Sequence, residues 1–265
     1  MRRPPPRKPA RQPARKPPRQ DARTLLRVAG LPAVTALFAT APERVERLFF
    51  DERMKSAVTP FCMALAKARK PYRLVGAEEL ERVAGGVMHG GVVAVAQPRP
   101  VLPFDPDEAA RWAADGKPLL LLDGVGNPHN LGAIVRSAAF FGLTRLVLSD
   151  HPAQALPSDA SYRVAEGGLE QLAVYRVTNL AALLPRLKRA YRVLGTALDR
   201  GKPLASLAPA ARPAALVLGN EETGLARATL AACDEIVTIP GAGHVQSLNV
   251  SVSAGILLYA LLQMG

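Results

Sequence analysis

Ile239-Pro-Gly-Ala-Gly-His-Val-Gln-Ser-Leu-Asn-Val-Ser-Val-Ser-Ala-Gly-Ile-Leu-Leu-Tyr-Ala-Leu-Leu262 has three parts: the end of a strand, a polar loop and an apolar helix. Pro240 closes the strand, Gly241 and Gly243 permit a tight irregular loop, and Ser247 and Asn249 open the helix. Two earlier stretches share this layout. Leu119-Leu-Leu-Leu-Asp-Gly-Val-Gly-Asn-Pro-His-Asn-Leu-Gly-Ala-Ile-Val-Arg136 and Leu216-Val-Leu-Gly-Asn-Glu-Glu-Thr-Gly224 each pass from an apolar strand into a polar, glycine-containing loop. Three such loops at the ends of buried strands of one sheet would form a single crevice, where open α/β sheets bind ligands.

Composition narrows the partner. With 265 residues, 49% of them hydrophobic, the chain can build one large or two ordinary domains. A net charge of +12 points to a polyanion rather than to a small acidic or neutral metabolite. Nine Lys or Arg and one acid, Asp21, fall within residues 1–23, which therefore supply +8 of that charge. Seven prolines there forbid helix, and no large apolar side chain follows Met1 before Leu25, so a disordered basic arm is expected. The arm either adds salt-sensitive phosphate contacts or only solubilises. It lacks the serines and the amphipathic helix of an organelle transit peptide.

Cys62 and Cys233 stand far apart and support neither a disulfide framework nor a Cys-based zinc site, so no metal is expected. No apolar run reaches the roughly 18 residues that span a bilayer. A soluble protein of the reducing cytoplasm, with no membrane partner, is expected.

Three motifs agree in order and spacing with a known family: Asn130-x-Gly132-x-x-x-Arg136, Leu218-Gly-Asn-Glu221-x-x-Gly224, and Ile239-Pro followed by Ser247-Leu-Asn-Val-Ser-Val252. Over residues 117–265 the chain resembles the SpoU (TrmH) family of S-adenosylmethionine-dependent RNA 2′-O-methyltransferases, within the SPOUT class. The resemblance implies a C-terminal segment threaded into a trefoil knot, an exception to the usual un-knotted rule. It also implies a homodimer joined through this domain, acting on RNA and not on DNA.

Upstream, helix is expected over 29–38, 58–68 and 77–83, and strand over 45–50, 72–75 and 92–96, which together make a small α/β domain at 24–97. That order and the closing His89-Gly-Gly-Val-Val-Ala pattern are similar to the L30e-like substrate-binding domain of many SpoU enzymes, which implies binding of structured RNA and favours ribosomal over transfer RNA as the target. Arg69, Lys70 and Arg73 beside Tyr72 offer a basic cluster with a stacking ring, or else a solvated edge. Proline-rich residues 98–116 read as a linker, with Trp112 packing at the domain junction. Beyond it, strands at 119–123, 145–149, 172–177, 192–197, 214–218 and 235–239 alternate with helices at 131–141, 159–165, 179–190 and 248–263. That pattern predicts a parallel sheet covered on both faces.

S-adenosylmethionine has no phosphate, so its site needs backbone donors and acceptors with apolar walls rather than an anion-binding helix terminus. Gly219, Gly241 and Gly243, flanked by Leu218, Ile239 and Leu248, supply that combination. The resemblance places Gly219, Ile239 and Leu248 in contact with the cofactor. It gives the central catalytic role to Arg136, and a guanidinium, always protonated, suits holding the neighbouring phosphate and a developing alkoxide better than removing a proton. Asn130, Ser247 and Asn249 stand at loop–helix junctions, where helix capping is the plainer role and a shared site the favoured one. Glu221 is placed to orient Arg136 or an RNA ribose.

Glu222 and Glu166 depart from the family pattern, and Glu166 is given no site role. His129 and His244 lie in the loops, but the matching family positions are not credited with catalysis, so hydrogen-bonded loop histidines are expected. Gly124-Val-Gly126 lacks the third glycine of a dinucleotide fingerprint, since His129 stands there, and Lys117 and Lys202 precede proline rather than the Ser or Thr of a P-loop. The remaining alternative is a non-catalytic RNA-binding or assembly factor that keeps the fold. Its expected signature, loss of Asn130 or Arg136, is absent.

Overall fold

Apolar runs decide the architecture, because a strand covered on both faces carries no polar alternation. The computed structural model describes residues 25–198, 200–208 and 210–264; the basic arm at 1–23 lies outside them. The first domain runs β1 (Leu26–Ala29), α1 (Leu31–Thr40), β2 (Val45–Phe50), α2 (Lys55–Lys67), β3 (Tyr72–Leu74), α3 (Ala77–Ala84) and β4 (Val92–Ala96). Then follow β5 (Leu102–Pro103), α4 (Pro106–Trp112), β6 (Leu119–Asp123), α5 (Pro128–Phe140), β7 (Arg145–Leu148), α6 (Asp159–Ala165), α7 (Gly168–Gln171), β8 (Ala173–Arg176) and α8 (Leu180–Leu187). The chain continues through β9 (Arg192–Thr196), β10 (Lys202–Pro203), β11 (Ala214–Gly219), α9 (Arg227–Ala232), β12 (Glu235–Thr238) and α10 (Val250–Gln263).

The first domain is a four-stranded mixed sheet in the order β1-β4-β2-β3. Its expected helices and strands are present, with β1 added: four residues directly after the arm are too few for a pattern, and antiparallel pairing with β4 fixes them. The second sheet has eight parallel strands in the order β10-β12-β9-β11-β6-β7-β8-β5. Along β6, Leu120 and Leu122 join the core under α5 and α10, while Leu119 and Leu121 join the core under α4 and α8. Both faces are covered, as the alternation predicts.

The stretch read as a linker is built into this sheet. β5 lies at its edge, where the proline costs no ladder hydrogen bond, and pairs with β8. α4 begins at Asp105, whose side chain accepts from the Asp107 N–H at 2.9 Å, with Pro106 in the first turn. Trp112 does pack, but against Tyr175 of β8, with ring centroids 4.8 Å apart and the Arg145 guanidinium over its ring, on the sheet face away from the first domain.

One hydrophobic core runs through both domains, from Val28, Leu37 and Leu48 to Leu131, Ile134 and Leu169. At the seam Arg44 Nη1 meets Glu170 Oε2 at 2.6 Å, with side chains 13% and 1% exposed. A buried pair like this holds a register, because removing either partner strands the other charge. Arg99 Nη1 donates to the carbonyls of Leu169, Glu170 and Leu172 at 2.9, 2.8 and 3.1 Å.

Candidate active site

β6 and β11 are neighbours, and the chain leaves them in opposite directions across the sheet: β7 and β8 follow on one side, β9 and β12 lie on the other. Their carboxyl ends therefore flank a topological switch point, the place where open α/β sheets bind ligands. Gly219, the last residue of β11, stands in register with Asp123, the last of β6. A Cβ on Gly219 would lie 2.5 Å from the carbonyl carbon of Gly224, so only glycine lets the 220–224 turn fold back. That turn is closed by paired backbone hydrogen bonds between Asn220 and Gly224 at 3.1 and 3.0 Å.

The three loops meet through side chains. Asn220 Nδ2 donates to the Gly124 carbonyl at 2.8 Å, joining the second loop to the first. The Glu221 carboxylate accepts from the N–H groups of Gly126 and Asn127 at 3.1 and 3.3 Å and from Asn130 Nδ2 at 2.8 Å. Asn130 Oδ1 in turn accepts from Asn249 Nδ2 at 3.0 Å, which brings in the third loop. Partial burial alone would raise the Glu221 pKa, but the hydrogen bonds from Asn130, Gly126 and Asn127 outweigh it and hold the carboxyl below its ordinary range.

Capping explains less of these residues than their positions suggest. Asn127 caps α5, accepting from the His129 N–H at 2.8 Å, so Asn130, one turn in and 9% exposed, is free for the network. Asn249 caps α10, accepting from the Ser251 N–H at 2.7 Å, and still donates to Asn130. Ser247 and Leu248 are exposed on the segment before α10, with Gly243 at φ 85. Leu218 is buried at the end of β11 and Ile239 half-buried just past β12. Glu222 is exposed, its N–H turned onto the Asn220 side chain at 3.0 Å.

Gly132 serves packing. A Cβ there would lie 2.6 Å from the Ser161 carbonyl, so its absence lets α6 cross α5 closely. One turn further along α5, Arg136 is 58% exposed at its side chain, and the carboxylate that reaches it is Glu166 at 2.9 Å, not Glu221. The His129 and His244 residues are exposed, and among the described residues neither ring makes a hydrogen bond, contrary to expectation.

In the first domain, Lys70 is unavailable as a phosphate ligand. Its Nζ donates to the carbonyls of Glu43 and Val45, both at 2.6 Å. Arg73 faces Glu79 at 3.2 Å, while Tyr72 stays exposed.

One part of the rim carries no local sequence signal. β9 lies between β11 and β12, so Thr196 and the backbone to Leu198 sit between Gly219 and Ile239. The Ala197 N–H bonds the Val237 carbonyl at 3.1 Å and Thr238 Oγ1 the Leu198 carbonyl at 3.2 Å. The central place of β9 could have been found only from the strand order, which no local pattern encodes.

This rim fits a methyl donor of the adenosyl type. Among the described residues, no hydrogen bond engages Pro240–Leu248, so backbone donors and acceptors are free beside the apolar Ile239 and Leu248. A parallel sheet with three tied loops at its switch point and a second domain packed beside it is an architecture suited to a nucleotide-type cofactor and a large substrate.

Comparison with known proteins makes the class particular. Residues 117–259 match the SpoU rRNA Methylase family and residues 27–102 match the RNA 2′-O ribose methyltransferase substrate binding family. The chain is 37% identical over 241 residues to the 23S rRNA (guanosine-2′-O-)-methyltransferase RlmB of Acinetobacter baylyi, covering 87% of this chain and 94% of that protein. RlmB of Escherichia coli K12 is 36% identical, with 88% and 96% covered. Among solved structures, the AdoMet-bound rRNA methyltransferase of Sinorhizobium meliloti shares the fold at TM-score 0.72 and 22% identity, with 92% and 89% covered. The AviRb methyltransferase of Streptomyces viridochromogenes in complex with AdoMet does so at TM-score 0.68 and 23% identity, with 90% and 89% covered. The chain belongs to the SpoU rRNA methylase family: it is an RNA 2′-O-methyltransferase, and its cofactor is S-adenosylmethionine.

Proposed function

We propose that this enzyme methylates the 2′-hydroxyl of a guanosine in 23S ribosomal RNA. It works in the cytoplasm as a homodimer with a knotted C-terminal segment, and Arg136 faces the acceptor. The carrying observation is the Glu221–Asn130–Asn249 chain, which ties all three loops into one site at the switch point. The RNA assignment is supported by the two RlmB relatives, each covered almost end to end. Among the described residues no helix is long and apolar enough to cross a membrane.

Bound at the rim, S-adenosylmethionine supplies a methyl group on a sulfonium. Leu218, Gly219, Ile239, Gly243 and Leu248 hold it through backbone groups and apolar walls. A ribose hydroxyl is a poor nucleophile at neutral pH, so in-line placement and charge stabilisation carry the reaction. Arg136 holds the adjacent phosphate and stabilises the developing alkoxide, whose proton passes to solvent as the methyl is taken up. Asn130, Asn249 and Ser247 line the path of the sugar, and Glu221 fixes Asn130.

Residues 24–97 bind RNA, with Tyr72 and Arg69 at the contact and the basic arm of 1–23 adding phosphate contacts. The dimer is supported by an apolar face: Phe140 is 84% exposed on α5, with Val252, Ile256 and Tyr259 exposed on α10. Patches of this kind on a soluble enzyme mark interfaces.

The test is a map of ribose methylations in ribosomal RNA with and without the gene, followed by transfer of labelled methyl to 23S transcripts in vitro. Loss of one 23S guanosine methylation, restored by the purified enzyme, is expected. A lost transfer RNA modification with intact 23S would refute the target, and cofactor binding without transfer to any RNA would favour an assembly factor.

A further inference from the structure

Glu166 ends α6 in the left-handed region, at φ 46 and ψ 44, a conformation that disfavours any residue with a Cβ. A glycine would meet the turn without strain, as it does at Gly167, where a Cβ would lie 2.7 Å from the Ala36 Cβ. The glutamate does something a glycine cannot. Its Oε2 lies 2.9 Å from Arg136 Nη2 and its Oε1 3.7 Å from Arg163 Nη1. Arg163 Nε in turn donates to the Met88 carbonyl of the first domain at 2.6 Å. Side-chain-bearing residues persist in strained backbone where the surroundings demand them, and such places cluster at functional sites.

We propose that Glu166 is a positioning residue for methyl transfer: it fixes the Arg136 guanidinium and ties that placement, through Arg163, to the RNA-side domain. This rests on the role of Arg136 given under Proposed function. Arg136 is 58% exposed, and a long side chain left free there samples many rotamers. A carboxylate on one Nη removes that freedom while the other guanidinium nitrogens stay open to a phosphate and a hydroxyl. An exposed ion pair adds little to stability, so its loss spares the fold.

The experiment compares wild type, Glu166→Gly, Glu166→Gln and Arg136→Ala in methyl transfer to a 23S transcript, with melting temperature and S-adenosylmethionine affinity measured on each. Glu166→Gly relieves the left-handed strain. It should melt at the same temperature or higher and bind the cofactor as wild type does, while kcat falls about tenfold and KM for RNA stays within about twofold. Glu166→Gln keeps length and an acceptor oxygen and should recover part of kcat. Wild-type or faster turnover by Glu166→Gly overturns the inference, as does a loss explained by lower melting temperature or cofactor affinity. If Arg136→Ala keeps turnover, the reading of Arg136 fails and the inference with it. If Arg136→Ala is dead while Glu166→Gly equals wild type, only the inference fails.

Discussion

The first and third loops lead into helices that meet in a hydrogen bond between Asn130 and Asn249, yet the loops are built in opposite ways. In the first loop, the Gly124 and Val125 N–H groups donate to the buried Gln154 side chain at 2.9 and 3.2 Å, and those of Gly126 and Asn127 to Glu221. The third, Pro240–Leu248, is exposed throughout and, among the described residues, free of hydrogen bonds. Preorganised groups cost no reorganisation at the moment of reaction, whereas a binding segment must have unpaired groups to offer. We propose that the contrast divides the labour, with a preset half facing the RNA and an open half taking the methyl donor.

If that division holds, substitutions in the two halves fail in different assays. Arg136→Ala should lower transfer by at least about a hundredfold while cofactor affinity, read by calorimetry, stays within a few-fold. A large loss of cofactor binding would instead place Arg136 in the open half. Gly219→Ala, whose Cβ meets backbone at 2.5 Å, should cost about 1–3 kcal/mol of stability by thermal melting and weaken cofactor binding about tenfold or more. Asn130→Ala strands the Glu221 and Asn249 groups and should lower kcat about tenfold for about 1 kcal/mol of stability.

The smallest effect is on acid stability. The Glu221 pKa is depressed in the fold, so its contribution is present above the unfolded value of about 4.3 and is lost as pH falls through the folded value. Glu221→Gln should therefore flatten the stability profile below about pH 4, measured by denaturant titration, and leave the neutral region sloped as before.

Much of this was legible in the letters because it is local. Four consecutive leucines ahead of Asp123 announce a strand buried on both faces, and the glycine–polar loops announce where those strands end. Asn130, Glu221 and Asn249 could be named from their motifs, and the structure brings them together, although Ser247 joins no bond. What escaped depends on distant partners. β5 and β10 are two-residue strands containing proline, fixed only by β8 and β12. Sequence left Lys70 between an RNA-facing cluster and a solvated edge, and it is neither, because two carbonyls from a neighbouring strand and turn take its ammonium. Glu166 reaches Arg136 only because Gly132 lets α6 lie against α5, a contact invisible in either segment alone.

Amide hydrogen exchange with and without S-adenosylmethionine tests the division most directly. Residues 240–248 should gain protection of about tenfold or more on binding, while 124–130 exchange slowly in both states. Unchanged exchange at 240–248, with protection appearing instead in the first domain, would contradict a donor site at the carboxyl ends of β11, β9 and β12.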